Sequence, residues 1–402
     1  MLPRVILVFL SVDWPIFSRR RMLTALAESA SRQGSKVVAV NRPLCPFSTF
    51  LRKPHRIPEF FRAPGLVEVS PNLHLYSPKY FLHDGLAWRT DVTETLNVSA
   101  LRRSLGSLQQ RLGVNEPSPI VWFYHPQQGY VTRIYEHSFN IFELYDNLAD
   151  VQGQGDQSAL TMEQSWRSAV DLFLATSPRL LGRFGSGYKN ALMSKNGLSR
   201  RDYNALGQPP SNPPQIFIKI PHPRLGFAGV ISDRLDWDLI GGLADARPDW
   251  SFVFAGRVTH SRYTALMTSR KNIYYLGEYA QDETPAIIAQ FDLGIMPYLD
   301  NDFFRDSNPL KFYEYCAAGI ASVSSPMALV GEFPSSIAAV CGNTVGEWVT
   351  AVDRLLRGRS NETKELCRST AREYLWEDIA DGLLSSINRY RENDPDKRGP
   401  LP

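Results

Sequence analysis

The chain is predicted to be an α/β protein of two domains, each a parallel sheet covered by helices, facing each other across a cleft. Three observations carry this. Short apolar runs alternate with amphipathic stretches along the chain, as parallel sheets with crossover helices require. The 402 residues suffice for two separate cores. The segment QPPSNPPQ at 208–215 places four prolines in eight residues, a stiff extended connector between residues 1–207 and 216–367.

In the first domain, Val5–Val12 reads as a strand, Arg20–Gln33 as a helix stopped by Gly34, and Lys36–Val40 as the next strand. The apolar start has the look of a secretory leader. No small-residue cleavage site follows it, and Asp13 and Arg19–Arg21 come at once, so a strand is the better reading. After the first strand stands Ser11-Val12-Asp13-Trp14-Pro15, without glycine, so the G-x-G-x-x-G dinucleotide fingerprint is missing. This half is expected to hold an acceptor.

Residues 47–62 mix Phe47, Phe50, Phe60 and Phe61 with Arg52, Lys53, Arg56 and Arg62, and Pro54 and Pro58 bar a continuous helix. Such a loop suits contact with an anionic membrane surface, where each basic residue contributes about 1 kcal/mol. Leu96–Leu112 reads as a helix. Three strands follow, Ile120–Tyr124, Asn140–Tyr145 and Asp171–Ala175, ending at His125, Asp146 and Ser177. Ligands of parallel sheets bind beyond the carboxyl ends of strands, so these three residues are site candidates. GRFGSGYK at 182–189 imitates a P-loop, but Tyr188 separates the last glycine from Lys189 and Asn190 stands where Ser or Thr is needed.

In the second domain, strands are predicted at Arg224–Val230, Ser251–Ala255, Ile273–Leu276, Phe291–Met296, Ile320–Ser324 and Ala338–Cys341. The stretch between the fourth and fifth is the most informative of the chain. Asn308 is the expected helix N-cap, Pro309 the first helical residue, and Gly319 the left-handed cap at its end. A helix N-terminus offers free N–H groups to phosphate. Glu314, one turn in, can accept from two hydroxyls of a ribose, and Asp306, with seven residues between them, can serve a second sugar in the same way. Phosphate site, ribose acceptor and sugar acceptor together describe a nucleotide-sugar pocket.

Through Asp306, Ser307, Glu314, Ala317, Ala318 and Gly319, the chain resembles the retaining glycosyltransferases of the GT-B fold, in their GT4-like group and its bacterial polysaccharide branch. The Asn196-Gly197 turn, the Pro-rich junction and the Trp376-Glu377 terminal helix add to the likeness. Asp306 replaces the usual glutamate, and Pro309 a frequent glycine. The resemblance implies two Rossmann-like domains, and a final helix (368–392) that crosses back to the first. It also implies transfer of a sugar from a nucleotide-diphosphate sugar to a glycan or lipid-linked hydroxyl, with no metal and no agreed nucleophile.

The resemblance also places donor contacts at Ser307, Asn308, the N–H of Leu310, Lys311 and Gly229. Arg234 stands where the group carries a lysine, Val230 where it carries an arginine, and Arg257 is the expected substitute for that lost charge. Tyr279 lies in the base-contacting loop. Asp146 takes a strand end where the group often has His, and with His125 is the expected neighbour of the acceptor hydroxyl or the donor ring. Two other readings keep the fold: an inactive nucleotide-sugar-binding protein, and an epimerase or phosphorylase.

A net charge of +3, from 44 basic and 41 acidic residues, gives no argument for nucleic acid. Four scattered cysteines, at 45, 316, 341 and 367, have no metal-ligand spacing and predict free thiols in a reducing compartment. No apolar run approaches the ~18 residues of a spanning helix, so a cytoplasmic protein is expected, with peripheral contact to the inner membrane face through 47–62. The tail 393–402 is polar and Pro-rich, and is expected to be disordered.

Overall fold

β1 (Val5–Phe9) is buried along its whole length because it feeds two cores at once. Val5, Leu7 and Phe9 point into one and Ile6 and Val8 into the other, as a period of two dictates. In the computed structural model, which describes residues 2–45, 49–50, 57–62, 65–79, 91–147, 157–208 and 214–393, β1 lies at the centre of an eight-stranded sheet. The other strands are β2 (Lys36–Val40), β3 (Gly65–Ser70), β4 (Leu73–Ser77), β5 (Ile120–Phe123), β6 (Phe139–Leu144), β7 (Leu172–Ala175) and β8 (Ala191–Met193). Their order is β3-β4-β2-β1-β5-β6-β7-β8, and only the edge pair β3–β4 is antiparallel. β1 pairs in register with both neighbours, Val5 opposite Lys36 and Ile6 opposite Ile120.

The second sheet is wholly parallel and has six strands, in the order β11-β10-β9-β12-β13-β14. These are β9 (Arg224–Ala228), β10 (Ser251–Ala255), β11 (Ile273–Tyr275), β12 (Leu293–Met296), β13 (Ser322–Ser324) and β14 (Ala338–Val340). In both sheets the strand order reverses beside the central strand, which leaves a crevice at the carboxyl ends. Those two carboxyl edges face each other. β3, β4 and β8 have no counterpart in the sequence-based expectation. β3 is a partly exposed edge strand and β8 only three residues long, and neither carries a buried apolar run.

The helices that matter for the site are α1 (Arg20–Arg32), α2 (Pro178–Phe184), α3 (Arg200–Gly207), α4 (Leu310–Ala317), α5 (Asn361–Arg372) and α6 (Trp376–Glu392). The single closing helix expected over 368–392 is two helices. The chain breaks at 373–375 because it changes domain there. Leu198 N–H donates to the Tyr374 carbonyl at 3.0 Å, and Trp376 N–H to the Leu198 carbonyl at 2.9 Å. Cys367 and Ala371 of α5 pack in the second domain's core, whereas Trp376, Ala380, Leu383, Leu384 and Ile387 of α6 pack in the first's. Gly197 is required at this crossing, since a Cβ there would meet the Tyr374 carbonyl oxygen at 2.1 Å.

Residues 47–48 and 51–56 of the aromatic and basic stretch, 209–213 of the Pro-rich connector and 394–402 of the tail lie outside the described residues. No helix among those described is long and apolar enough to cross a membrane.

Candidate active site

The second sheet ends in three glycines, Gly229, Gly256 and Gly277, one after each of β9, β10 and β11. They let backbones approach closely: Gly256 N–H donates to the Gly277 carbonyl at 2.8 Å, and a Cβ on Gly256 would lie 2.1 Å from the Gly229 oxygen. A Cβ on Gly229 would meet Lys311 Nζ at 2.2 Å, so the ammonium rests directly on this strand end. Burial lowers the Lys311 pKa, against the upward pull of Glu314. The Phe227 ring lies 5.1 Å away, and among the described residues Lys311 Nζ has no hydrogen-bond or ion-pair partner.

Lys311 is the second residue of α4, and the start of this helix differs from the expectation. Pro309 holds the N-cap position, with extended backbone and no side-chain cap. Asn308 is not the cap, because its side chain is used elsewhere: Nδ2 donates to the Thr176 carbonyl at 2.8 Å and Oδ1 accepts from Tyr313 OH at 2.9 Å. Pro309 thus gives the first turn no side-chain acceptor, and Phe312 N–H turns back to the Pro309 carbonyl at 3.2 Å. Leu310, at the first position, packs its side chain against the first domain's core.

Glu314 lies one turn further on, half-buried, and lines a cavity of about 540 Å³ between the halves. Arg21 and Glu28 of α1, Asp202 of α3, Asp282 and Glu377 line it too. Tyr279 is a neighbour: burial, then the Glu314 charge, push its hydroxyl up to about 12. Gly319 ends α4 at φ +77°, the left-handed cap read from the sequence.

Asp306 does not face this cavity. It is fully buried, and its two oxygens accept from Arg179 Nε and Asn147 Nδ2, each at 2.6 Å. The role of sugar acceptor expected for it is thus corrected: its lone pairs are committed to the opposite domain. Ser307 is half-buried, and its Oγ donates to the Phe303 carbonyl at 2.8 Å.

In the first domain, His125 caps the turn after β5. Its Nδ1 accepts from Gln127 N–H at 3.2 Å, and Gln128 closes the capping box. The ring also lines a separate cavity of about 70 Å³ with Ser11, Arg42 and Tyr130. Ser177 caps α2 by accepting from Leu180 N–H at 3.3 Å. Asp146 is half-buried, and burial lifts its pKa to about 6 against the opposing pull of Arg234 and Arg19. Arg234 thus acts across the cleft, with its guanidinium 5.8 Å from the Phe303 ring. Arg257 is exposed, and its carbonyl accepts from Ile231 N–H at 2.9 Å.

Asp146 makes a stability prediction with a definite sign. Its folded pKa lies above the ~3.9 of an unfolded aspartate, so the folded state holds the extra proton between the two values. The wild type should lose stability relative to Asp146→Asn as pH rises from about 4 to about 6, with a constant difference above. Urea denaturation at pH 4.5 and 7 checks this, and a difference that does not change with pH rejects it.

No family model matches the chain. Solved structures do. A glycosyltransferase from Rickettsia africae ESF-5 superposes with a TM-score of 0.66 at 10% identity, over 97% of this chain and 100% of that one. An α,α-trehalose-phosphate synthase (UDP-forming) from Burkholderia vietnamiensis gives 0.64 at 14% identity, over 98% and 99%. An E. coli trehalose-6-phosphate structure bound with UDP-2-fluoro glucose gives 0.65 at 12% identity, over 95% and 99%. The chain has the GT-B fold.

In sequence, the chain is 29% identical over 157 residues to TuaH of Bacillus subtilis (strain 168), a protein named for teichuronic acid biosynthesis glycosyltransfer. That match takes in 38% of this chain and 40% of TuaH, so the chain spans about two fifths of the curated relative it matches.

A further group of residues in this GT-B cleft escaped the sequence reading. Arg19, 2% exposed, pairs with the fully buried Glu143 at 2.7 Å. Glu143 also accepts from Ser194 Oγ at 2.7 Å and Trp122 Nε1 at 3.0 Å. Arg19 reaches Asn196 as well, and Asn196 Nδ2 donates to the Asn308 carbonyl at 2.7 Å. The available signal was Glu143, a charge in the middle of the apolar run Asn140–Tyr145, where burial demands a partner. Among the described residues no cluster of three or more His, Cys, Asp or Glu side chains could hold a metal.

Proposed function

We propose that the chain is a retaining glycosyltransferase. It moves a sugar from a nucleoside-diphosphate sugar to a hydroxyl of a glycan or lipid-linked acceptor, in the making of a surface polysaccharide. The observation that carries this is Lys311: a half-buried ammonium on the Gly229 strand end, without a hydrogen-bond or ion-pair partner among the described residues, in the first turn of α4 and one turn from Glu314. That is a cradle for a diphosphate followed by a diol. UDP is the first nucleotide to try, since it is the one in the E. coli GT-B structure, and surface polysaccharide follows the name of TuaH.

In the reaction, the bond from the anomeric carbon to the phosphate oxygen breaks, and a bond to the acceptor oxygen forms on the same face. The departing phosphate takes the acceptor's proton. Negative charge grows on the leaving oxygens, where Lys311 and the first-turn N–H groups of α4 stabilise it. Glu314 accepts from the ribose hydroxyls, and Tyr279 stacks on the base. Asp146 and Arg234 stand on opposite sides of the cleft, near the sugar and the acceptor hydroxyl, with His125 lining the acceptor side.

The membrane contact belongs to this reading as well. Phe50, Phe60 and Phe61 form an edge-to-face cluster with Lys79 over Phe60, and Phe61 is 71% exposed. This patch suits docking on the inner membrane face, close to a lipid-linked acceptor.

A thermal-shift screen over nucleoside diphosphates and their sugars tests the function. A ligand at 100 times its Kd adds about 2.7 kcal/mol to stability, so binding is easily seen. If none of these nucleotides moves the melting temperature, the reading fails.

A further inference from the structure

The segment leading into α4 is gripped by the opposite domain at consecutive points. Asp306 accepts from Arg179 and Asn147 at 2.6 Å each, with Arg183 at 3.7 Å. Two residues later, Asn308 donates to the Thr176 carbonyl at 2.8 Å and accepts from Asn196 at 2.7 Å. Asn147, Thr176 and Asn196 sit just beyond the carboxyl ends of β6, β7 and β8, and Arg179 and Arg183 on α2, which follows β7. Lys311 follows Asn308 by three residues, a span of at most about 11 Å when fully extended, so these bonds leave its position little slack. Asp306 is fully buried and cannot turn to water instead. Arg179 is 48% exposed, so it can be exchanged without opening a cavity.

We infer that Arg179 is a positioning residue for the donor cradle. With Asn147 it holds Asp306, and through Asp306 it sets where Lys311 and the start of α4 stand relative to the first domain. Closure of the cleft and the quality of the phosphate site are thereby one event. The carboxylate at the first acidic position of the motif serves as a latch and not as a sugar contact. That a nucleoside diphosphate occupies the cradle rests on the function proposed above, but the latch itself does not.

The full chain and its Arg179→Gln, Arg179→Lys and Arg179→Gln/Asp306→Asn variants are titrated with UDP by calorimetry. Small-angle scattering without nucleotide gives their radii of gyration. Arg179→Gln should bind UDP about tenfold more weakly, the loss of one charge-assisted hydrogen bond. Arg179→Lys should recover part of the affinity, because it restores the charge without the forked geometry. Asp306→Asn also weakens the contact to Asn147, so the double variant should bind UDP at least as weakly as Arg179→Gln, and a recovery to wild-type affinity overturns the inference. UDP affinity of Arg179→Gln within about twofold of wild type overturns the inference. Should that variant not fold, Arg179→Lys decides, with wild-type affinity overturning the inference and a partial loss supporting it. If the wild type itself takes up no UDP, the function proposed above falls and scattering decides the latch: a larger radius in Arg179→Gln supports it, and an unchanged one overturns it.

Discussion

Replacing Lys311 with methionine should weaken UDP binding by roughly 10- to 100-fold while raising the melting temperature of the ligand-free protein. The two effects have opposite signs for one reason. Burial disfavours the ammonium, the Glu314 charge opposes this only in part, and among the described residues Nζ has no hydrogen-bond or ion-pair partner, which costs free energy. Methionine is similar in length, unbranched and uncharged, and fills the same space against Phe227 and Gly229 without that cost. With a diphosphate bound, the charge is matched, and its loss removes hydrogen bonds worth about 1.5–3 kcal/mol.

The pH dependence follows with a fixed sign. Because the folded pKa of Lys311 lies below the ~10.4 of an unfolded lysine, the folded state sheds its proton first. The destabilisation is full below the folded value and disappears as pH rises toward the unfolded one. The methionine variant should lack this rise, and UDP binding near the folded pKa should draw in a proton, visible as buffer-dependent heat. A variant that binds UDP as tightly as wild type would remove the phosphate role.

Glu314→Ala should lower UDP affinity at least about tenfold, through one or two charge-assisted hydrogen bonds of about 1.5–3 kcal/mol each. Folding should be unaffected, because the side chain is half-buried and lines an open cavity and not a packed core. Inorganic pyrophosphate separates the roles of the two residues. It has no ribose, so Glu314→Ala should bind it about as well as wild type, whereas Lys311→Met should not. Equal losses for UDP and pyrophosphate in Glu314→Ala would mean that the carboxylate acts only by tuning Lys311 and not on a diol.

How far the chain could be read in advance depended on whether the deciding contact was local. Gly319 and Gly34, at φ +77° and +79°, end their helices through backbone conformations that neighbouring residues announce. Strands such as β1 and β12 declare themselves by apolar runs buried on both faces. The start of α4 misled, because Asn308 is a good cap in isolation but found a carbonyl 132 residues away in sequence. Asp306 misled in the same way, with its partner Arg179 at a separation of 127. Neither distance leaves a trace in local spacing. The Asn196-Gly197 turn was visible as a turn, but its need for glycine appears only once the returning chain is seen to pass over it.

That returning chain has a practical consequence for anyone who divides the molecule. The first domain's core is completed by α6, from the far end of the polypeptide, which is fastened to α1 through Ser29 and Arg32 on Asp381. A fragment stopping at the Pro-rich connector would present α1 with a bare apolar face, and the complementary fragment would carry α6 with nothing to cover it. Both pieces should aggregate when expressed alone. A fusion that joins residues 376–392 ahead of residue 2 is the form in which the first domain should stay soluble by itself.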